Sequence, residues 1–105
     1  MNIENKNLTI EQTKKGYILT CKLTGWLDPN TSSDLISEIN LKDIKQIIFD
    51  MTNIEYVFSS GIRAFLMLQK MIEEKDGQIK LINVSDDIRS IFEYAGLESM
   101  LEPKV

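Results

Sequence analysis

A chain of 105 residues, 43% hydrophobic and 27% charged, is long enough for one globular domain and too short for two. With no His and one Cys it lacks Ser-His and Cys-His nucleophile pairs, imidazole metal sites, an intrachain disulfide and any Cys-x-x-Cys centre. The formal net charge is −4 and the charges are not segregated, so there is no basic face for nucleic acid.

The N-terminal stretch MNIENKNLTI has no basic region followed by an apolar run, so no signal peptide is expected. The longest apolar run, Ala64 to Leu68, is far too short for membrane insertion. A lone Cys fits a reducing, cytoplasmic compartment. Leu8 and Ile10 alternate with Thr9 and Glu11, which predicts a strand. Lys14-Lys15-Gly16 reads as a turn. Tyr17, Leu19, Cys21 and Leu23 then alternate with Ile18, Thr20, Lys22 and Thr24, a second strand with one apolar face. So short a connection predicts an antiparallel hairpin.

Gly25 to Pro29 ends that strand. Thr31 or Ser32 is placed to cap a helix through about Asn40, with Leu35, Ile36 and Ile39 inward. Gln46 to Met51 is almost continuously apolar, as expected of a central strand covered on its faces. Thr52 to Phe58 reads as a loop, and a long helix is expected from about Ser60 to Lys75, broken by Asp76-Gly77. Ile79, Leu81, Ile82 and Val84 predict a further strand. Ser85 or Asp86 caps a last helix through Ala95, stopped by Gly96, after which Leu97, Met100 and Leu101 pack on the domain edge. The order β-β-α-β-α-β-α makes an α/β domain with a mixed sheet, an N-terminal antiparallel hairpin followed by parallel β-α-β units.

One segment stands apart, Val57-Phe58-Ser59-Ser60-Gly61-Ile62-Arg63. It follows the central strand, and α/β sheets build their sites at C-terminal strand ends. On a helical wheel Gly61, Ala64, Phe65, Leu68 and Ile72 share the core face with Met71 at its flank; Arg63, Lys70 and Glu74 face water, and Leu66 and Met67 fall outside the stripe. The two serines have two readings. They can cap the helix, satisfying its first N–H groups. Alternatively one accepts a phosphoryl group, since a helix N-terminus tolerates negative charge well.

Three stretches in order resemble the STAS domain of bacterial anti-sigma factor antagonists. Gly25-Trp26-Leu27-Asp28 resembles the family's Gly-x-Leu-Asp after the second strand. Ile48-Phe49-Asp50-Met51-Thr52, with Val57-Phe58-Ser59-Ser60-Gly61-Ile62, resembles its strand, loop and Ser-Ser-Gly helix start. Ile79 to Val84, with Ile91-Phe92 and Ala95-Gly96-Leu97, resembles its last strand and helix. The match covers residues 8–101, a single STAS domain in residues 1–105.

The resemblance implies a non-enzymatic switch without cofactor or metal. The first Ser of the motif, Ser59, is then the phosphoacceptor, ahead of Ser60, and Asp28, Phe58, Ser59, Ser60, Gly61, Ile62 and Arg63 form the partner surface. It further implies an anti-sigma factor serine kinase as partner and a metal-dependent serine phosphatase as the reset. Many members carry Asp before the acceptor; here Phe58 stands there, making that rim more apolar. The sequence leaves two other functions open. One is an unphosphorylated STAS scaffold in a transporter or sensor complex. The other is a small nucleotide-binding domain or enzyme, for which the phosphate-binding Gly-rich loops are absent.

Other residues have plainer expectations. Asp28 should lie near Ser59 and brace the turn at Pro29. Asp50 bonds loop amides, and Asp86-Asp87 caps the last helix. Cys21 is an inert core thiol. Trp26 is a core lid, Phe58 either tucks into the domain or faces a partner, and Arg63 is solvated.

Overall fold

The computed structural model describes residues 8–103; most of the N-terminal stretch read for a leader lies outside the described residues. Strands β1 (Leu8–Lys15), β2 (Ile18–Leu27), β3 (Gln46–Val57) and β4 (Gln78–Ile82) form one sheet in the order β1-β2-β3-β4. β1 and β2 are the expected antiparallel hairpin, and β2-β3 and β3-β4 are parallel. Tyr17 is not in the strand as expected. It sits exposed in the hairpin turn after Gly16, and its carbonyl accepts the N–H groups of Lys45 and Gln46. Leu19, Cys21 and Leu23 are buried as expected.

Helices α1 (Pro29–Glu38), α2 (Ser59–Glu73) and α3 (Asp86–Tyr94) follow β2, β3 and β4, and a single 3-10 turn spans Glu98–Met100. Both crossovers step the same way across the sheet, so right-handed units put α1 and α2 on one face. An edge-to-face trio holds this layer together: Phe49 of β3 meets Phe65 of α2 at 5.1 Å, and Phe65 meets Phe92 of α3 at 5.3 Å. The expectation that β3 is covered on both faces is therefore corrected. Ile47, Phe49 and Met51 are buried beneath the helices, whereas Ile48 and Asp50 are only partly covered. Across the other face the register aligns Glu11, Lys22 and Asp50, an alternation of charge that suits water.

α1 starts earlier than expected. Asp28, not Thr31 or Ser32, is the cap: its Oδ1 accepts the N–H groups of Asn30 and Thr31 at 3.0 Å each, and Thr31 Oγ1 accepts the Asp28 N–H at 2.9 Å. Pro29 occupies the first helical position, where its fixed φ fits and its missing N–H costs nothing. α1 ends at Glu38, with Leu35 and Ile39 buried and Ile36 partly so. α2 buries Gly61, Ala64, Phe65, Leu68 and Ile72, the face read from the wheel, and leaves Leu66, Met67 and Met71 exposed. It ends at Glu73 rather than Lys75, and the chain turns at Asp76, whose φ is 61°. β4 stops at Ile82, short of Val84. Ser85 alone caps α3, accepting the Ile88 N–H, while Asp86 and Asp87 lie in the first turn, where the helix dipole favours them. Gly96 follows the helix with φ 81°, and Leu97, Met100 and Leu101 are buried as expected.

Residues 52–57, expected in a loop, continue β3. Two register shifts leave an extra residue on β3, one between Asp50 and Asn53 and one between Ile54 and Tyr56. Buried positions are spaced by two up to Met51 and by three at Ile54 and Val57. Bulges of this kind bend a strand and re-aim its side chains. Here they deliver the chain to the start of α2.

Candidate functional site at the tip of helix α2

Leu27 and Val57 are register partners at the ends of β2 and β3, so Asp28 and Phe58 leave the sheet side by side. The Phe58 N–H donates to the Leu27 carbonyl at 2.9 Å. Phe58 then takes the cap position of α2 in extended conformation. Its carbonyl accepts the N–H groups of Gly61 and Ile62, but its side chain offers no acceptor. The capping reading of the two serines is thus corrected: Ser59 and Ser60 sit one and two residues inside the helix, and neither caps it.

The serines differ in surroundings. Ser60 is partly buried, and its Oγ accepts from Oγ of the buried Ser32 of α1 at 3.5 Å. Ser59 is exposed, and among the described residues its hydroxyl has no hydrogen-bond partner. Gly61, expected on the partner surface, is buried instead. A Cβ there would lie 2.8 Å from Leu27 Cβ and 2.9 Å from Val57 Cγ1, so its role is to let the helix tip meet the strand ends.

The surface around Ser59 is aromatic. Phe58 does not tuck into the core; it is 39% exposed. Trp26 stacks on it with centroids 6.2 Å apart and planes at 24°, and Tyr56 meets it edge-on at 5.0 Å. Trp26 is therefore no core lid but part of this exposed array. A groove of about 430 Å³ opens beside the array, walled by Tyr56, Phe58, Ser59, Ile62 and Arg63. Ile91, Tyr94 and Ala95 of the α3 end close its far side, and Tyr94 is 96% exposed. Among the described residues no carboxylate lines it, and Arg63 is its one charged residue. Sequence reasoning missed Tyr56 and Tyr94. Tyr56 was hidden by the bulge that turns it outward, and Tyr94 by lying in the polar last turn of α3.

Asp28 acts as the expected brace, through the cap on α1. Asp50 bonds an amide of its own strand rather than of a loop: its Oδ1 accepts the Thr52 N–H at 3.0 Å, Thr52 Oγ1 at 2.6 Å and Asn83 Nδ2 at 3.1 Å, pinning the first bulge to the turn after β4. Burial would raise its pKa, but the bonds from Thr52 and Asn83, with the charge of Lys22, outweigh this and hold it below the usual carboxylate value. Burial pushes the Cys21 thiol up to about 12, which makes it the inert core thiol expected. Among the described residues no three carboxylates or thiols converge on a metal-sized site, and no helix is long and apolar enough to cross a membrane.

The chain and its fold have known counterparts. The chain is 28% identical over 98 residues to the anti-sigma-B factor antagonist of Staphylococcus aureus, covering 90% of this chain and 91% of that protein. It is 26% identical over 95 residues to the anti-sigma F factor antagonist of Paenibacillus polymyxa, covering 87% and 81%. Its fold matches that of the antagonist SpoIIAA in its unphosphorylated form with TM-score 0.82 at 20% identity, over 92% of this chain and 89% of that one. The phosphorylated form from Bacillus gives 0.75 at 20% identity, over 92% of each chain. The STAS domain family model matches residues 9–105, and the chain belongs to the STAS domain family.

Proposed function

We propose that the protein is an anti-sigma factor antagonist, a regulatory binding protein rather than an enzyme. In its unmodified form it binds an anti-sigma factor that is also a serine kinase, and so frees a sigma factor in the cytoplasm. The kinase then moves the γ-phosphoryl group of ATP to Ser59. The Oγ–P bond forms as the β–γ anhydride bond breaks, ADP leaves, and the hydroxyl proton is released. A metal-dependent serine phosphatase reverses the modification. The observation that carries this reading is the state of Ser59: exposed, unbonded among the described residues and not used as a cap, at the lip of an aromatic groove.

The energetics support a switch. A phosphate adds about −1.5 to −2 charges at a helix tip that tolerates them, so the fold persists. Docking would then require desolvating that charge against Phe58 and Tyr56. A loss of about 4 kcal/mol is roughly a thousandfold in affinity. The partner surface in this reading is Phe58, Ser59, Ile62 and Arg63, with Asp28 and Ser60 behind it.

The test is incubation with the cognate kinase and ATP. One phosphate should appear at Ser59, Ser59→Ala should keep the complex, and Ser59→Glu should lose it. A kinase that binds the protein but leaves Ser59 unmodified refutes the reading. The aromatic array also favours a second one, a permanently bound scaffold subunit of a transporter or sensor complex. In that case Ser59→Glu leaves the complex intact.

A further inference from the structure

We propose that Arg63 is the internal counter-ion of phosphorylated Ser59, so that modification draws the groove's one cation onto the helix tip and reverses the sign of the docking surface. This rests on the reading of Ser59 as the phosphoacceptor.

Ser59 and Arg63 are four residues apart on α2, hence neighbours on its surface, and both line the same groove. The acid would lie N-terminal to the base, the favourable order for an i,i+4 pair. Arg63 is exposed and, among the described residues, has no ion pair; the one ion pair found there joins Arg89 and Glu93. It also lines a smaller crevice of about 230 Å³ between α1 and α2, so its side chain stands on the ridge between two cavities.

Guanidinium binds phosphate through paired, charge-assisted N–H donors. Among the described residues no carboxylate in the groove competes for Arg63, and the other titratable groups facing it, the phenols of Tyr56 and Tyr94, supply no rival cation. Before modification the groove therefore carries one positive charge, suited to a carboxylate on a docking partner. Afterwards the charge is about −0.5 to −1, and the guanidinium is engaged within its own helix. One modification both adds the repelling charge and withdraws the attracting one.

The test installs phosphoserine at position 59 during synthesis, so no kinase is needed. The second ionisation of the phosphate is then followed by phosphorus NMR in the otherwise unaltered chain and in Arg63→Gln. The unaltered chain should ionise about half a pH unit or more below Arg63→Gln, with Arg63→Lys between them. Superimposed curves overturn the proposal. Circular dichroism of the exposed-site variants checks that each is folded. A kinase that ignores Ser59 defeats the functional reading while leaving the titration difference in place, so the two failures are distinguishable.

Discussion

Trp26 and Phe58 stack at the C-terminal end of the sheet, centroids 6.2 Å apart, although neither side chain belongs to the core. Phe58 therefore has two jobs that pull apart: its ring builds the exposed array, and its backbone caps α2 with no side-chain acceptor. Phe58→Asp and Phe58→Ala both remove the ring, but only Asp supplies a cap oxygen and a favourable charge at the helix start. Phe58→Asp should be the more stable of the two by about 1 kcal/mol in urea unfolding. Equal stabilities would mean that the helix tip cannot accept a cap.

Gly61→Ala sets helix propensity against space. Ala is favoured in a helix interior by about 1 kcal/mol. Here its methyl would lie 2.8 Å from Leu27 Cβ and 3.3 Å from the Leu27 carbonyl, so the helix tip or the strand end must move. Overpacking of this kind costs about 1–3 kcal/mol, and the net effect should be destabilisation by about 1 kcal/mol. The displaced tip carries Ser59, so under the proposed function phosphorylation by the cognate kinase should slow as well. A stabilised variant would show that the seam between α2 and β2 yields freely.

Much of the fold was legible because periodicity held wherever elements are regular. The buried face of α2 and the alternation of Leu19, Cys21 and Leu23 follow directly from 3.6- and 2-residue spacing. The reading failed where geometry departs from those periods. Two bulges give β3 a spacing of three after Met51, so a strand looked like a loop. Thr31 resembled a cap because it is the third helical residue of a capping box whose true cap is Asp28. At the site, the exposure of Arg63 followed from the helical wheel, but that of Ser59 and Phe58 did not. Trp26 and Phe58 are apolar side chains left outside a filled core, and only the packing decides which apolar residues those are.

The Asp50 bonds predict a pH signature. Its folded pKa lies below the unfolded value, so its contribution to stability is present above the unfolded carboxylate value of about 4 and is lost as pH falls through the folded pKa. Asp50→Asn keeps an acceptor oxygen but does not titrate. The native chain should exceed Asp50→Asn in Tm at pH 7, and the gap should narrow steadily below about pH 4. A gap that stays constant down to pH 3 would remove the charged form of Asp50 from the account.

Asp28 allows its bracing role to be separated from its place beside the site. Its carboxylate accepts two N–H groups of α1, and Thr31 returns a bond to the Asp28 N–H. Asp28→Ala removes the acceptor and should cost about 1–2 kcal/mol; Asp28→Ser retains a cap oxygen and should lie within about half a kcal/mol of the native chain. The cap also reaches the site mechanically, because Ser32, on the first turns of α1, is hydrogen bonded to Ser60 beside Ser59. If bracing is the whole role, Asp28→Ser binds the cognate kinase as the native chain does. If the carboxylate itself meets the partner, Asp28→Ser keeps its unfolding midpoint and loses affinity tenfold or more, about 1.4 kcal/mol. Denaturant unfolding and a binding titration on the same two variants therefore separate the two roles.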